Sequence, residues 1–326
     1  MRFAALCLLI AAIMLSGCGA GGEKFPSETR TVFGLPVTVT VFISDAKPDE
    51  VQGAFDAVFN TLKWYEGAAY TSGKDNQLER IASGAGRESV PVDTAVYNLI
   101  MRGLQLNDMT GEAFDLRYGP LLDAWLATGK PSKPAQADLD SALALIKTGG
   151  MFVAGKSILL SKPEMRFDAR GLVEAWAIDR AAERLVEKGL SAFEIRTPYA
   201  IRVVGMPQNS QFRTFNIADP VSGDSTWATL QIGQGGLAFL PAVGQGGRLV
   251  LDPRTGEEAK GAAIVAAKDC ATAFGLAYAL NVDGDLTKLT DKGKAELMGH
   301  IRISGSRPSY SIAAEGVLKD KLSTRN

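Results

Sequence analysis

Helical and strand patterns are segregated along this chain instead of alternating, and this constrains its fold more than any other feature. Residues 48–65 carry Val51, Phe55, Val58, Phe59 and Leu62 at helical spacing behind Pro48, so a helix starts there with proline in its first turn. Asp93 stands as the cap of a second helix whose apolar face holds Val96, Ile100 and Leu104, with Gly111 beyond its end. A third helix is predicted over residues 136–147 and a strong fourth over 172–188, closed by Gly189. The remaining pattern is β. Residues 31–43 are β-branched, residues 151–154, 157–160 and 165–168 read as short paired strands, and short strands dominate from 193 to 267. Helices follow over 269–280 and near 285–297, then a strand near 300–303 and a polar tail. Without strict βαβ alternation, the expected class is α+β, with short strands in mixed sheets packed against helices.

The N-terminus reads as an address. Met1-Arg2 is a short basic start, residues 3–15 are almost wholly apolar, and Leu15-Ser16-Gly17-Cys18 completes a bacterial lipobox. The expected organisation is a signal peptide over residues 1–17, a lipidated Cys18 with a Gly-rich tether over 18–29, and one domain over 30–326. Cys18 would anchor the protein in membrane lipid, facing the periplasm or cell exterior. Gly19, where an aspartate would retain the protein, points to an outer membrane in a cell that has one. No second long apolar run follows. Cys7 leaves with the signal and Cys18 carries lipid, so Cys270 is left without a disulfide partner and reads as a small buried hydrophobe at a helix start.

Composition removes several functions. The 326 residues hold 35 Lys+Arg against 36 Asp+Glu, a net charge of −1, so no basic surplus exists to bind nucleic acid. With 46% hydrophobic residues, the chain can fill a large core. One histidine excludes a His-rich metal centre, and a Ser-His-Asp triad would have to use His300, which has no nucleophile motif nearby. Chemistry must rest on carboxylates, hydroxyls, backbone groups or a borrowed cofactor.

Three segments resemble a known family in order and spacing. They are Gly111-Glu112-Ala113-Phe114-Asp115 continuing to Gly119-Pro120-Leu121 and Trp125; Asp168-Ala169-Arg170-Gly171-Leu172-Val173-Glu174-Ala175-Trp176-Ala177-Ile178-Asp179; and Asp252-Pro253-Arg254-Thr255-Gly256. Asp219-Pro220 matches a further D-P. Together they resemble the FAD:protein FMN transferases, the ApbE-like flavin transferases, over about residues 33–280. The resemblance implies the ApbE-like fold and a reaction in which a Ser or Thr hydroxyl of a target protein attacks FAD, FMN is transferred and AMP leaves. Mg²⁺ would neutralise the pyrophosphate, and the partner would be a flavin-carrying redox protein of the membrane. Tyr70, Ala113, Phe114, Asp115 and Asp168 match positions that contact FAD in the family, with Phe33, Glu174 and Leu251 at neighbouring motif positions.

The departures from the family lie where the chemistry belongs. The family's A-D-A-L-A-T reads Ala273-Phe274-Gly275-Leu276-Ala277-Tyr278, so Phe274 replaces a magnesium carboxylate and Tyr278 a threonine. The metal positions here are Gly171, Phe274, Ala277 and Tyr278, of which Gly171 and Ala277 offer only carbonyls. The His ahead of D-P-R-T-G is Leu249, A-T-S-G is Ala238-Phe239-Leu240-Pro241, and a Lys is Glu174. Phe33 and Leu35 stand where an early M-G-T motif has Met and Thr, and an Asn position is Ala82. Polar groups have become space-filling ones, the expected mark of a site that is closed rather than retuned. No catalytic residue is assigned. Three functions stay open: the family enzyme, a non-catalytic flavin- or partner-binding lipoprotein of a membrane redox complex, and a structural envelope lipoprotein.

Other motifs read as structure. Asp252 to Gly256 forms a turn with Asp252 accepting backbone N–H bonds. Asp179 would pair with Arg170 or cap a neighbouring loop, and Asp115 would hold a loop amide. Gly233-Gln234-Gly235-Gly236 and Gly244-Gln245-Gly246-Gly247 read as hairpin turns, Asp283-Gly284-Asp285 as a turn, and Trp64 with Tyr65 as helix-face core.

Overall fold

The β-branched run at the start of the domain splits at Phe33-Gly34 into β1 (Ser27–Val32) and β2 (Leu35–Val41), where one continuous strand was expected. Phe33 has φ 58° and Gly34 φ 71°, the two consecutive positive values of a hairpin turn that matches strand twist. These coordinates belong to a computed structural model that describes residues 25–42, 47–70, 73, 75–208, 210–220, 225–241, 249–259, 261–306 and 309–324. Cys18 and the second Gly-Gln-Gly-Gly motif therefore lie outside the described residues. The last residues of the expected tether, from Ser27, belong to β1.

The first helix, α1 (Pro48–Tyr65), starts on its proline and buries Val51, Phe55, Val58, Phe59 and Leu62. It runs into a π-helical turn at Glu66–Tyr70. Next comes α2 (Gln77–Gly84), which periodicity did not reveal; Asn76 caps it by accepting from Leu78 N and Glu79 N at 2.9 and 3.1 Å. After β3 (Val90–Pro91), α3 (Thr94–Met109) follows Asp93 as expected, although the Asp93 carboxylate accepts from Gln77 Nε2 instead of capping the backbone. A short helix, α4 (Gly119–Leu126), was also unforeseen, and α5 (Gln136–Thr148) follows. The pair β4 (Met151–Ala154) and β5 (Ser157–Leu160) joins β3 in a small sheet.

Residues 165–168 are not a strand. The Asp168 N–H bonds Leu116 O, and the carboxylate turns back to the chain ahead of α6 (Arg170–Glu187). Then come β6 (Phe193–Arg196), β7 (Ala200–Val204), β8 (Arg213–Ala218), β9 (Thr226–Ile232), β10 (Gly235–Leu240) and β11 (Ala262–Ala267). Helix α7 (Cys270–Asp283) starts behind Asp269, and the later predicted helix shrinks to α8 (Asp291–Glu296). The expected polar tail is instead structured: β12 (Leu297–Ser306), β13 (Ser309–Gly316) and β14 (Leu322–Thr324).

Among the described residues the main sheet has eight strands in the order β1-β2-β6-β7-β10-β11-β12-β13, every neighbouring pair antiparallel. The second sheet is β14-β9-β8. Gly233 to Gly236 therefore crosses from one sheet to another and is not the hairpin that the glycines suggested. This is an α+β architecture, as expected.

Strand alternation places the two cores. Ala263, Val265 and Ala267 face the helices, while Ala262, Ile264 and Ala266 face Phe215, Trp227 and Leu230 of the second sheet. Helix α7 lies deepest: every residue from Cys270 through Asn281 is buried. A helix apolar all round has no solvent face to offer. That position matters because α7 carries Phe274 and Tyr278.

Candidate functional site

Three acidic motif positions share one local device. Asp115 Oδ1 accepts from Arg117 N at 2.8 Å, Asp168 Oδ1 from Arg170 N at 3.1 Å, and Asp252 Oδ1 from Arg254 N at 2.9 Å. In each, the arginine two residues on folds its guanidinium onto the same carboxylate: Arg117 Nη2 at 2.6 Å, Arg170 Nη2 at 2.6 Å and Arg254 Nε at 2.9 Å. A buried carboxylate needs a partner, and a planar guanidinium supplies two parallel bonds. The hydrogen bonds that the Arg170 guanidinium donates to Asp168 drive the Arg170 pKa up against the opposing effect of burial. The recurrent Asp-x-Arg spacing was visible in the sequence. Its meaning was not, because Asp179 was an equally good partner for Arg170.

Asp179 has a different task. Its Oδ1 accepts from Cys270 N and its Oδ2 from Ala271 N, both at 2.9 Å, with Arg202 Nε at 3.7 Å. It thus caps the start of α7 from within α6. Burial, with the nearby Asp269 charge, pushes its pKa up to about 7 against the pull of the two N–H groups and Arg202. The Cys270 thiol donates to Ile201 O at 3.4 Å, and burial raises its pKa, in keeping with the structural role expected of it.

The positions expected to hold magnesium are filled by packed rings. Phe114 meets Phe274 at 5.7 Å and Tyr278 at 5.3 Å, both edge to face, and Tyr118 meets Tyr278 at 6.2 Å. Such pairs are favourable beyond the area they bury. The Tyr278 hydroxyl donates to Leu251 O at 2.7 Å and accepts from Leu251 N at 3.3 Å. Burial raises the pKa of both Tyr118 and Tyr278, so the phenols stay neutral. Leu249 packs with Tyr118, Leu121 and Trp125, and Leu251 is fully buried beside it.

This donor set does not fit Mg²⁺, which takes hard oxygens in an octahedron. Phe274 has no oxygen, Tyr278 has spent its hydroxyl on Leu251, and Gly171 and Ala277 have only backbone carbonyls. Among the described residues, no group of three His, Cys, Asp or Glu side chains is placed to hold a metal ion.

The residues matched to FAD contacts divide into two groups. Ala113, Phe114, Asp115 and Asp168 are buried within the filled interior, as are Glu174 and Leu251. Phe33 and Tyr70 form a separate aromatic pair at 5.0 Å, brought together by the hairpin turn and by the π-helical turn after α1. Glu66 accepts from Phe33 N and holds that turn. Phe33 is buried, but Tyr70 remains partly accessible. Trp64 and Tyr65 also split: Tyr65 is core and Trp64 is exposed. The D-P aspartate, Asp219, is structural here, accepting from Tyr310 Oη at 3.1 Å.

This architecture, an antiparallel sheet lined by helices on one face and capped by a second sheet, is similar in fold to solved flavin transferases. The ApbE protein from Thermotoga maritima superposes with TM-score 0.75 at 20% identity, covering 93% of this chain and 100% of that one. The flavinyl transferase ApbE from Pseudomonas stutzeri superposes with TM-score 0.73 at 21% identity, covering 93% and 98%. A FAD:protein FMN transferase of Vibrio cholerae is 22% identical over 300 residues, 86% of this chain and 87% of the relative. The ApbE family model matches residues 33–297, and the chain belongs to the ApbE family.

Proposed function

We propose that this chain is a lipid-anchored, extracytoplasmic member of the FAD:protein FMN transferase family that no longer transfers FMN. One observation carries the reading. The oxygens that should hold magnesium are replaced by Phe274 and by a Tyr278 hydroxyl already bonded to both backbone groups of Leu251. Transfer to a Ser or Thr hydroxyl needs charge neutralised at the pyrophosphate, and these groups supply none. The retained role is that of a non-catalytic partner of a flavin-carrying membrane redox protein. The accessible Tyr70 beside Phe33 favours that role over a purely structural one.

The direct test incubates the purified protein with FAD, Mg²⁺ and a Ser/Thr-bearing acceptor subunit. The acceptor should show no covalent flavin fluorescence on a denaturing gel; labelling that depends on this protein would end the reading. Anchoring is tested separately. Cys18→Ser should abolish palmitate incorporation and release the protein from membranes, and retained label on that variant would exclude Cys18 as the anchor.

A further inference from the structure

The main sheet ends on β13, which pairs with β12 along one side; among the described residues no strand pairs with its other side. With eight residues it is also the longest edge strand described, since β1, β3, β4, β8 and β14 have six or fewer. Such an edge templates pairing with a further strand unless charge, proline or a cover blunts it. At the opposite edge of the same sheet, β1 carries Glu28 and Arg30. In β13 the single charged residue is Glu315, and most of the strand is exposed.

The outer edge has a definite phase. Ser306 and Ser309 close the hairpin across two residues, and the closing pair of such a hairpin is hydrogen-bonded. Pairs then alternate, and Val317 N keeps the same phase by donating to Met298 O at 2.9 Å. The N–H and C=O of Ile312 and Ala314 therefore point away from β12. The side chains on this register turn to the second sheet: Ile312 stands opposite Ile303 of the second core, and Tyr310 and Ala314 pack against that core. Between them Ile312 is 40% exposed.

We propose that β13 is the surface through which two copies of this chain pair, edge to edge and antiparallel, around a two-fold axis at Ile312. The strand itself selects this occupant. A two-fold axis normal to the sheet keeps each face on its own side, so residues that meet must share a face. Of the outward-pointing positions Ile312 is central, and centring there lets the whole strand pair. Ile312 then meets Ile312 of the partner subunit, Tyr310 meets the partner's Ala314, and Ser309 meets the partner's Glu315. A β-branched pair is favourable across antiparallel strands, the serine hydroxyl donates to the carboxylate, and the two glutamates never stand opposite each other. Pairing consumes the outer edge of both copies, so assembly stops at two. The proposal is independent of whether FMN transfer is lost.

The test is sedimentation of the full chain, purified in detergent, over a range of concentrations. The protein should reach twice the monomer mass at micromolar concentration. Ile312→Lys sets two ammonium groups against each other at the axis and should weaken the dimer at least about tenfold, with an unchanged circular dichroism spectrum. Ala314→Pro removes an outward N–H and no bond to β12, so it should act in the same direction. Cysteines read the register. Ile312→Cys places two thiols across a hydrogen-bonded pair with Cα atoms about 5.5 Å apart, within disulfide reach, so mild oxidation should give a covalent dimer that the unaltered chain does not. Ser309→Cys alone should give none, but mixed with Glu315→Cys chains it should. The cysteine arm decides the matter even where the lysine or proline variant does not fold. A monomer at every concentration overturns the proposal. So does a dimer that both Ile312→Lys and Ala314→Pro leave intact, or oxidation that links Ser309→Cys chains to each other and not Ile312→Cys chains.

Discussion

Phe274→Ala should lower the free energy of unfolding by about 3–5 kcal/mol, the usual cost of emptying a buried phenylalanine site. The ring is 7% exposed and meets Phe114 and Tyr278 edge to face, and its helix is buried on all sides, so the surroundings have little freedom to collapse into the gap. Urea unfolding monitored by circular dichroism should show a lower midpoint with the same slope. The companion substitution separates a closed site from one that has merely drifted. Phe274→Asp supplies the carboxylate that the family resemblance implies at this position, but here it would lie between two rings with no cation. It should destabilise the protein at least as much as alanine does, because a buried unpaired charge costs several kcal/mol. A tolerated Phe274→Asp that gained Mg²⁺ binding would mean that the pocket survives behind the ring, and the reading of lost transfer would fail.

The second large effect concerns Asp179 and pH. A carboxyl whose folded pKa lies near 7, against an ordinary value of 3.8, keeps its proton in the folded state where the unfolded chain has released it. Its contribution to stability is complete below the unfolded pKa and declines as pH rises from about 4 to 7. Over that window the loss amounts to about 4 kcal/mol. Asp179→Asn removes the titration and also sets an amide N–H against one of the two helix N–H groups, so the variant should be the less stable protein at pH 4. The informative quantity is the difference between the two stability curves. It should narrow steadily as pH rises to 7, and parallel curves would show that Asp179 is ionised in the folded protein throughout. Because Asp179 pins the start of α7, the variant should also loosen the ring cluster, visible as faster amide exchange at Phe274 and Tyr278.

Much of the fold was legible because it rests on local signals. Apolar spacing behind Pro48 marked α1 to the residue, and Gly189 marked the end of α6. The missed elements had weak local signals. Helix α2 is one short stretch held by the Asn76 cap, and the tail strands are mostly exposed, so alternation between apolar and polar residues is faint there. The run over residues 165–168 looked like a strand from its composition. It became a loop because Asp168 is drawn back onto the Arg170 N–H and guanidinium.

The site divides along the same line. Sequence by itself determined the α+β class, the family motifs and the presence of Phe274, Leu249 and Tyr278 within or beside them. These are properties of residue identity and order. Tertiary structure alone decided what the replacements do. Tyr278 and Leu251 are 27 positions apart, and Asp179 and Cys270 are 91 apart. Only chain closure shows that the phenol occupies both backbone groups of Leu251 and that Asp179 serves α7 and not Arg170. The physical reason is that periodicity and caps are set by neighbours within a few residues. Hydrogen-bond partners across the core depend on which surfaces the sheet brings together, and several partners of the right chemistry compete until it does.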